Sequence, residues 1–219
     1  MTHLPGSLTG LTASGVIAVI RSDESQGLVQ AAEALANGGI RALEFTLNTP
    51  DALKLISQAR QKLADHVMVG AGTVITAEDV TQAVQAGAQF VVMPGQGEAA
   101  VKTAKQLGVI VIPGAFTPTE ALNAWQWGAD MIKIFPASLG GPDYIRALLA
   151  PLSDLKLVPT GGVSAANAGA YIQAGAAAVA VGGSLVSRSA IQSGEFHRLE
   201  EAARNLLSTV AQARLELSA

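Results

Sequence analysis

Short runs of apolar residues recur down the chain, each followed by a longer stretch whose apolar positions keep helical spacing. The runs are Gly15 to Arg21, Ala42 to Leu47, Val67 to Gly72, Gln89 to Met93, Val109 to Pro113, Met131 to Ala137, Leu155 to Thr160 and Ala177 to Val181. Each reads as a strand buried on both faces, as in a parallel sheet covered by helices. Helices are predicted over Ser25 to Asn37, from Asn48-Thr49-Pro50-Asp51 to about Leu63, from Thr76 to Ala86, and over Glu98 to Leu107. Others run from Thr117 to near Trp127, from Pro142 and Asp143 through Leu152, from Ser164 to before Gly175, and over roughly Phe196 to Glu216. Thr117, with Pro118 at the first helical position and Glu120 at the third, spells a capping box, and Thr76 with Asp79 repeats the arrangement. Ser164 is the expected cap of its helix.

Strands and helices in strict alternation predict an α/β fold, a (β/α)8 TIM barrel, with Leu4 to Ser14 as a short N-terminal leading helix or irregular cap. Residues 1–219 read as one domain. An open doubly wound sheet is the alternative, but it would place its glycine-rich loop after the first strand. Here glycine pairs follow the last two strands, where barrels bind phosphate.

Composition narrows the function. Apolar residues make up 49% and charged residues 14% of 219, which suits a buried sheet and not a disordered chain. The formal net charge is −3 with no basic stripe, so nucleic acid is not an expected partner. With no cysteine there are no disulfides, thiolate zinc sites or cysteine nucleophiles, which fits a reducing cytoplasm. No signal peptide and no bilayer-spanning run is expected. His3, His66 and His197 lack metal-ligand spacing and read as surface, so no metal is expected.

Lys133 stands out. It lies in Met131-Ile132-Lys133-Ile134-Phe135-Pro136-Ala137, where alternation puts Met131, Lys133 and Phe135 on one face. A buried ammonium is costly unless paired or neutral. A lysine kept neutral is a nucleophile suited to Schiff-base chemistry; a lysine paired to a buried carboxylate does nothing chemical. Glu44, inside Ala42 to Leu47, is the carboxylate that can face it if Ala42, Glu44 and Thr46 point inward. Its pKa is set by desolvation upward against the lysine's charge downward, so it is either a proton shuttle or half of a structural ion pair.

Other polar residues sit at strand ends, the functional face of a barrel. Arg21 either clamps an anion or reaches solvent at the rim. Thr73 and Thr160 either bond a carboxylate or cap turns. Met131 and Phe135 read as wall, and Trp125 and Trp127 as packing. Gly161-Gly162 and Gly182-Gly183-Ser184 can bring backbone N–H groups close to a phosphate.

The motifs LEFTLNTP, VGAGTV, MPG, IPGAFTPTEA, IKIFPA, PTGGV and VGGSLV occur in this order. In them the chain resembles the 2-keto-3-deoxy-6-phosphogluconate (KDPG) and 2-keto-4-hydroxyglutarate (KHG) aldolase family over nearly its whole length. The resemblance implies that Lys133 forms a Schiff base with pyruvate and that Glu44 is the general acid/base. It implies that Thr73, Thr160, Pro94 and Phe135 shape the pyruvate pocket, and that Gly161, Gly162, Gly182, Gly183 and Ser184 hold the phosphate. It further implies a homotrimer without cofactor or metal, acting on a small 2-keto acid. Many members carry arginine where this chain has Asn48. Members resembling the 6-phosphogalactonate enzyme read LN-x-P and carry arginine at the end of the first strand, as Arg21 does. Arg21 is therefore expected to supply the cation that Asn48 cannot. A sugar-phosphate epimerase or isomerase, a lyase for unphosphorylated 4-hydroxy-2-oxoglutarate and a non-catalytic trimeric scaffold are the competing readings.

Overall fold

The computed structural model describes residues 7–217. His3 and the first residues of the predicted leading helix lie outside that range. A helix α1 (Leu8–Ala13) leads into strand β1 (Val16–Ile20). Then come α2 (Leu28–Asn37), β2 (Ala42–Thr46), α3 (Ala52–Lys62), β3 (Met68–Gly72), α4 (Ala77–Gln85), β4 (Phe90–Val92) and α5 (Glu98–Gln106). The next strand is in two pieces, β5 (Ile110–Ile112) and β6 (Gly114–Ala115), followed by α6 (Pro118–Gln126) and β7 (Ile132–Ile134). The chain continues through a 3-10 turn at Ala137–Leu139, α7 (Gly141–Leu149), β8 (Leu157–Pro159), α8 (Ala168–Gln173), β9 (Val179–Val181), α9 (Arg188–Gln192) and α10 (Phe196–Leu217).

All strand pairs are parallel. One sheet has the order β5-β4-β3-β2-β1-β9 and a second has β6-β7-β8. Pro113 divides the fifth predicted strand, because proline has no N–H to give the neighbouring ladder. Its carbonyl still accepts from Lys133 N–H at 2.9 Å. On the other side, a bridge joins Thr160 to Ala180, and Ala177 N–H donates to Leu157 O at 3.0 Å.

Alternation along the strands sorts the apolar residues into two cores. Leu43, Phe45, Ile132 and Ile134 face the helices in the larger core. Ile17, Ala42, Met68, Phe90, Ile112, Met131 and Val158 form a second core on the opposite face. Gly70 leaves room there, since a Cβ would stand 2.6 Å from the Phe90 ring. The opposed faces predicted for Met131 and for the two isoleucines are therefore observed. So are both capping boxes, at Thr76 with Asp79 and at Thr117 with Glu120.

One cap differs from expectation. Ser164 does not start a helix. Its N–H donates to Asn167 Oδ1 at 2.8 Å, while Asn167 Nδ2 donates to Gly162 O at 2.9 Å, and α8 begins only at Ala168. Asn167 satisfies both ends of the preceding loop with its own amide, which delays the helix by a turn. The short α9 after the last strand was also not foreseen. Among the described residues no helix is long and apolar enough to cross a membrane.

Candidate active site

A cavity of about 550 Å³ opens at the C-terminal ends of the strands. It gathers the twelve residues expected to carry the chemistry or hold the substrate, whereas Met131, read as wall, packs in the second core instead. Arg21 comes from the end of β1 and Glu44 from β2. From the ends of β3 and β4 come Thr73 and Pro94. β7 contributes Lys133 and Phe135, the loop after β8 brings Thr160, Gly161 and Gly162, and the loop after β9 brings Gly182, Gly183 and Ser184. Asn48, Thr46 and Val19 also line it, as do Val163, Ser164, Ala180 and Val186. The apolar members carried no signal in the sequence beyond their position beside strand ends.

Lys133 is 8% exposed and Glu44 1%. Among the described residues neither side chain makes a hydrogen bond or an ion pair, and Glu44 Oε2 is buried without any partner. The two are nonetheless within electrostatic reach. Burial pushes the Glu44 carboxyl up to about 7, against the pull of Lys133. Burial draws the Lys133 amine below the ordinary lysine range, opposed by Glu44 and assisted by the positive charge of Arg21. The purely structural ion pair considered from the sequence thus lacks its contact. The amine instead lies 5.0 Å from the centre of the Phe135 ring. An amine with a lowered proton affinity and a carboxyl titrating near neutrality are the properties of a nucleophile and a proton shuttle.

The backbone makes room for the acid. A Cβ on Gly72 would meet Glu44 Oε1 at 2.6 Å, so the glycine of VGAG reserves the carboxyl's place. The next residue, Thr73, has φ +56°, a left-handed conformation uncommon for threonine, which turns the chain at the cavity wall.

The two glycine loops are tied together. Ser184 Oγ donates to Val163 O at 2.8 Å, so its hydroxyl proton is already committed to the partner loop. Gly162 has φ +80°, and a Cβ there would press on Ser138 at 2.5 Å. Gly183 differs: no left-handed φ is needed and a Cβ would meet nothing within 4 Å. Among the described residues the N–H groups of Gly162, Gly183 and Ser184 take no protein acceptor. An anion here would meet loop N–H groups. The helix N-terminus expected at Ser164 is absent.

Arg21 is exposed, and its guanidinium makes no hydrogen bond or ion pair among the described residues. Asn48 lines the same part of the wall. His66 and His197 are exposed. No group of three or more His, Asp or Glu able to hold a metal occurs among the described residues.

These features define a class of protein: a parallel α/β fold that presents a buried amine and a protonatable carboxyl in one anion-receptive cavity. The family model for KDPG and KHG aldolase matches residues 9–202, and the chain belongs to that family. It is 39% identical over 197 residues to the 2-dehydro-3-deoxy-phosphogluconate aldolase of Treponema pallidum, covering 89% of this chain and 93% of that protein. Among solved structures it is similar to a native KDPGal structure, with TM-score 0.83 and 32% identity over 91% of this chain and 96% of that one. It is also similar to KDPG aldolase from Legionella pneumophila, with TM-score 0.80 and 32% identity over 94% and 98% of the two chains. In that structure pyruvate is captured at low pH as a covalent carbinolamine intermediate.

Proposed function

We propose that the chain is a class I aldolase that cleaves 2-keto-3-deoxy-6-phosphogluconate, or its galactonate epimer, to pyruvate and glyceraldehyde 3-phosphate, and 4-hydroxy-2-oxoglutarate to pyruvate and glyoxylate. The observation that carries this reading is the unpaired Lys133 amine sharing a buried cavity with a Glu44 carboxyl raised to about 7.

The chemistry follows from that pair. Neutral Lys133 Nζ attacks the C2 ketone, and loss of water from the carbinolamine leaves a protonated imine. Glu44 takes the proton of the C4 hydroxyl, directly or through water, as the C3–C4 bond breaks. The bonding electrons move through C3 to the imine nitrogen, giving an enamine, and the aldehyde departs. The enamine takes a proton at C3 from the carboxyl. Water adds to the imine, the C–N bond breaks, and pyruvate leaves with the amine restored. No metal or cofactor is required in this sequence.

Thr73, Pro94, Phe135 and Thr160 form the wall around the pyruvate end, and Arg21 holds its carboxylate in place of the family arginine absent at Asn48. Gly161, Gly162, Gly182, Gly183 and Ser184 receive the phosphate, the role supported by N–H groups without protein acceptors. Arg21 together with Asn48 matches the pattern of members resembling the 6-phosphogalactonate enzyme, and comparison of the two epimers as substrates decides between them. We read the two sheets as one closed eight-stranded barrel, β5 and β6 being halves of a single strand and the Thr160–Ala180 bridge the last seam. The chain is taken as one domain that works as a cytoplasmic homotrimer. Exposed Ile75 and Leu139, on loops beyond β3 and β7, support association.

Borohydride reduction with pyruvate, followed by peptide mapping, tests the assignment. Adduct on Lys133 is expected, and modification of any other residue refutes it. Pyruvate release from the three candidate 2-keto acids separates the substrates. Isomerisation of sugar phosphates without pyruvate trapping would favour the epimerase or isomerase reading.

A further inference from the structure

Five polar or charged side chains are buried among the described residues: Glu44, Thr46, Thr49, Lys133 and Thr160. Three already have places in the reaction. Thr46 and Thr49, each 3% exposed, do not.

Their oxygens lie 3.1 Å apart, and the backbone N–H of Ser22 donates to Thr49 Oγ1 at 3.3 Å. Two hydroxyls bring two protons, and one of these occupies the bond between them. If Thr46 donated, Thr49 would accept twice and its own proton would be left without an acceptor. Thr49 does not line the cavity, so that donor would be buried and unsatisfied. If Thr49 donates, every demand on it is met, and the spare proton belongs to Thr46, which does line the cavity. Solvent or a ligand can accept it there.

The position of that proton is informative. Thr46 and Glu44 share the inward face of β2. A Cβ placed on Gly72 would lie 2.6 Å from Glu44 Oε1 and 3.0 Å from Thr46 Cγ2. The carboxyl and the Thr46 methyl therefore lie side by side over Gly72, and both residues line the cavity.

We infer that Thr46 donates a hydrogen bond to the substrate or water oxygen that exchanges its proton with Glu44, and that Thr49, anchored by Ser22, is the positioning residue that directs it. The inference rests on the aldolase reading. During cleavage that oxygen gives its proton to Glu44 and carries developing negative charge until the carbonyl forms. A fixed donor at that oxygen stabilises the charge without itself losing a proton.

The test uses full-length Thr46→Val, Thr49→Val, their double variant and Thr49→Ser. The readouts are kcat for cleavage of the phosphorylated 2-keto acid and the rate of borohydride trapping of pyruvate on Lys133. Each valine variant is expected to lose about 10- to 100-fold in kcat, the worth of one hydrogen bond to a charged group. The double variant should lose no more than the worse single one, because the two hydroxyls act as one unit. Trapping should keep its wild-type rate, showing an intact fold and amine, and Thr49→Ser should recover turnover. Losses that multiply, a valine variant with wild-type kcat, or trapping that falls in step with kcat would each overturn the inference. Wild-type protein that traps no pyruvate would instead overturn the aldolase reading itself.

Discussion

Replacing Glu44 by glutamine should stabilise the protein increasingly as the pH rises, while leaving only a small residue of its turnover. The carboxyl has an ordinary value of 4.5 and is raised to about 7 in the folded chain. The folded state therefore holds more protons than the unfolded state between those values, and wild-type stability falls as pH rises through that window. At about 1.4 kcal/mol per pH unit, the burden is a few tenths of a kcal/mol at pH 4 and about 3 kcal/mol at pH 8. Glutamine does not titrate and escapes it. Its amide adds a fixed term, since Oε2 already lacks a partner and a buried amide donor there would cost about 1–3 kcal/mol at every pH. The fixed term shifts both ends of the comparison equally. The informative quantity is therefore the slope: the stability of Glu44→Gln minus wild type should grow by about 3 kcal/mol from pH 4 to pH 8. For a chain of this size that is a change of roughly 6–12 °C in the difference of Tm. Urea unfolding or thermal melts of both proteins across that range measure it. A difference that stays flat or shrinks would refute the claim that the carboxyl is held proton-rich by burial.

Further expectations follow from the same site. Lys133→Met should lose all turnover and gain stability near neutral pH. The lysine's folded pKa is lowered, so the gain should fade as pH rises toward 10.5 and the unfolded amine also loses its proton; melts at pH 7 and 10 measure this. Wild-type kcat/KM should rise with pH through a limb near 7, where Glu44 becomes the base, and residual activity of Glu44→Gln should lack that limb. Gly183→Ala should leave Tm unchanged, because nothing in the protein meets the new methyl, yet raise KM for phosphorylated substrate about tenfold and spare 4-hydroxy-2-oxoglutarate. Arg21→Ala should raise KM for every 2-keto acid and slow pyruvate trapping; unchanged pyruvate-dependent turnover would remove Arg21 from the carboxylate site.

Much of this was readable in the chain because parallel strands covered on both sides leave continuous apolar runs, and a charge within such a run has few explanations. Lys133 and Glu44 were conspicuous for that reason. The threonine caps were legible because a capping box is a purely local pattern. Less local features were hidden. The split at Pro113 depends on which neighbour needs the missing N–H, which no window along the chain reveals. Asn167 supplanted Ser164 because its amide reaches back to Gly162 and Ser164 together. Thr49 was read as part of a helix start, since its bond to Ser22 joins two loops distant in sequence. Glycines drew equal notice at 162 and 183, yet only the first has a backbone and packing reason to be glycine.

Lys133 belongs to the three-stranded sheet and Glu44 to the six-stranded one. The reacting pair is thus mounted on separate plates, and no single hydrogen-bonded ladder fixes the gap between them. That gap is a property of two joints, one at Pro113 and one where Thr160 bridges Ala180 and Ala177 N–H donates to Leu157 O. Loosening either joint would detune the distance between amine and acid while leaving each plate, and most of the apolar packing against the helices, undisturbed.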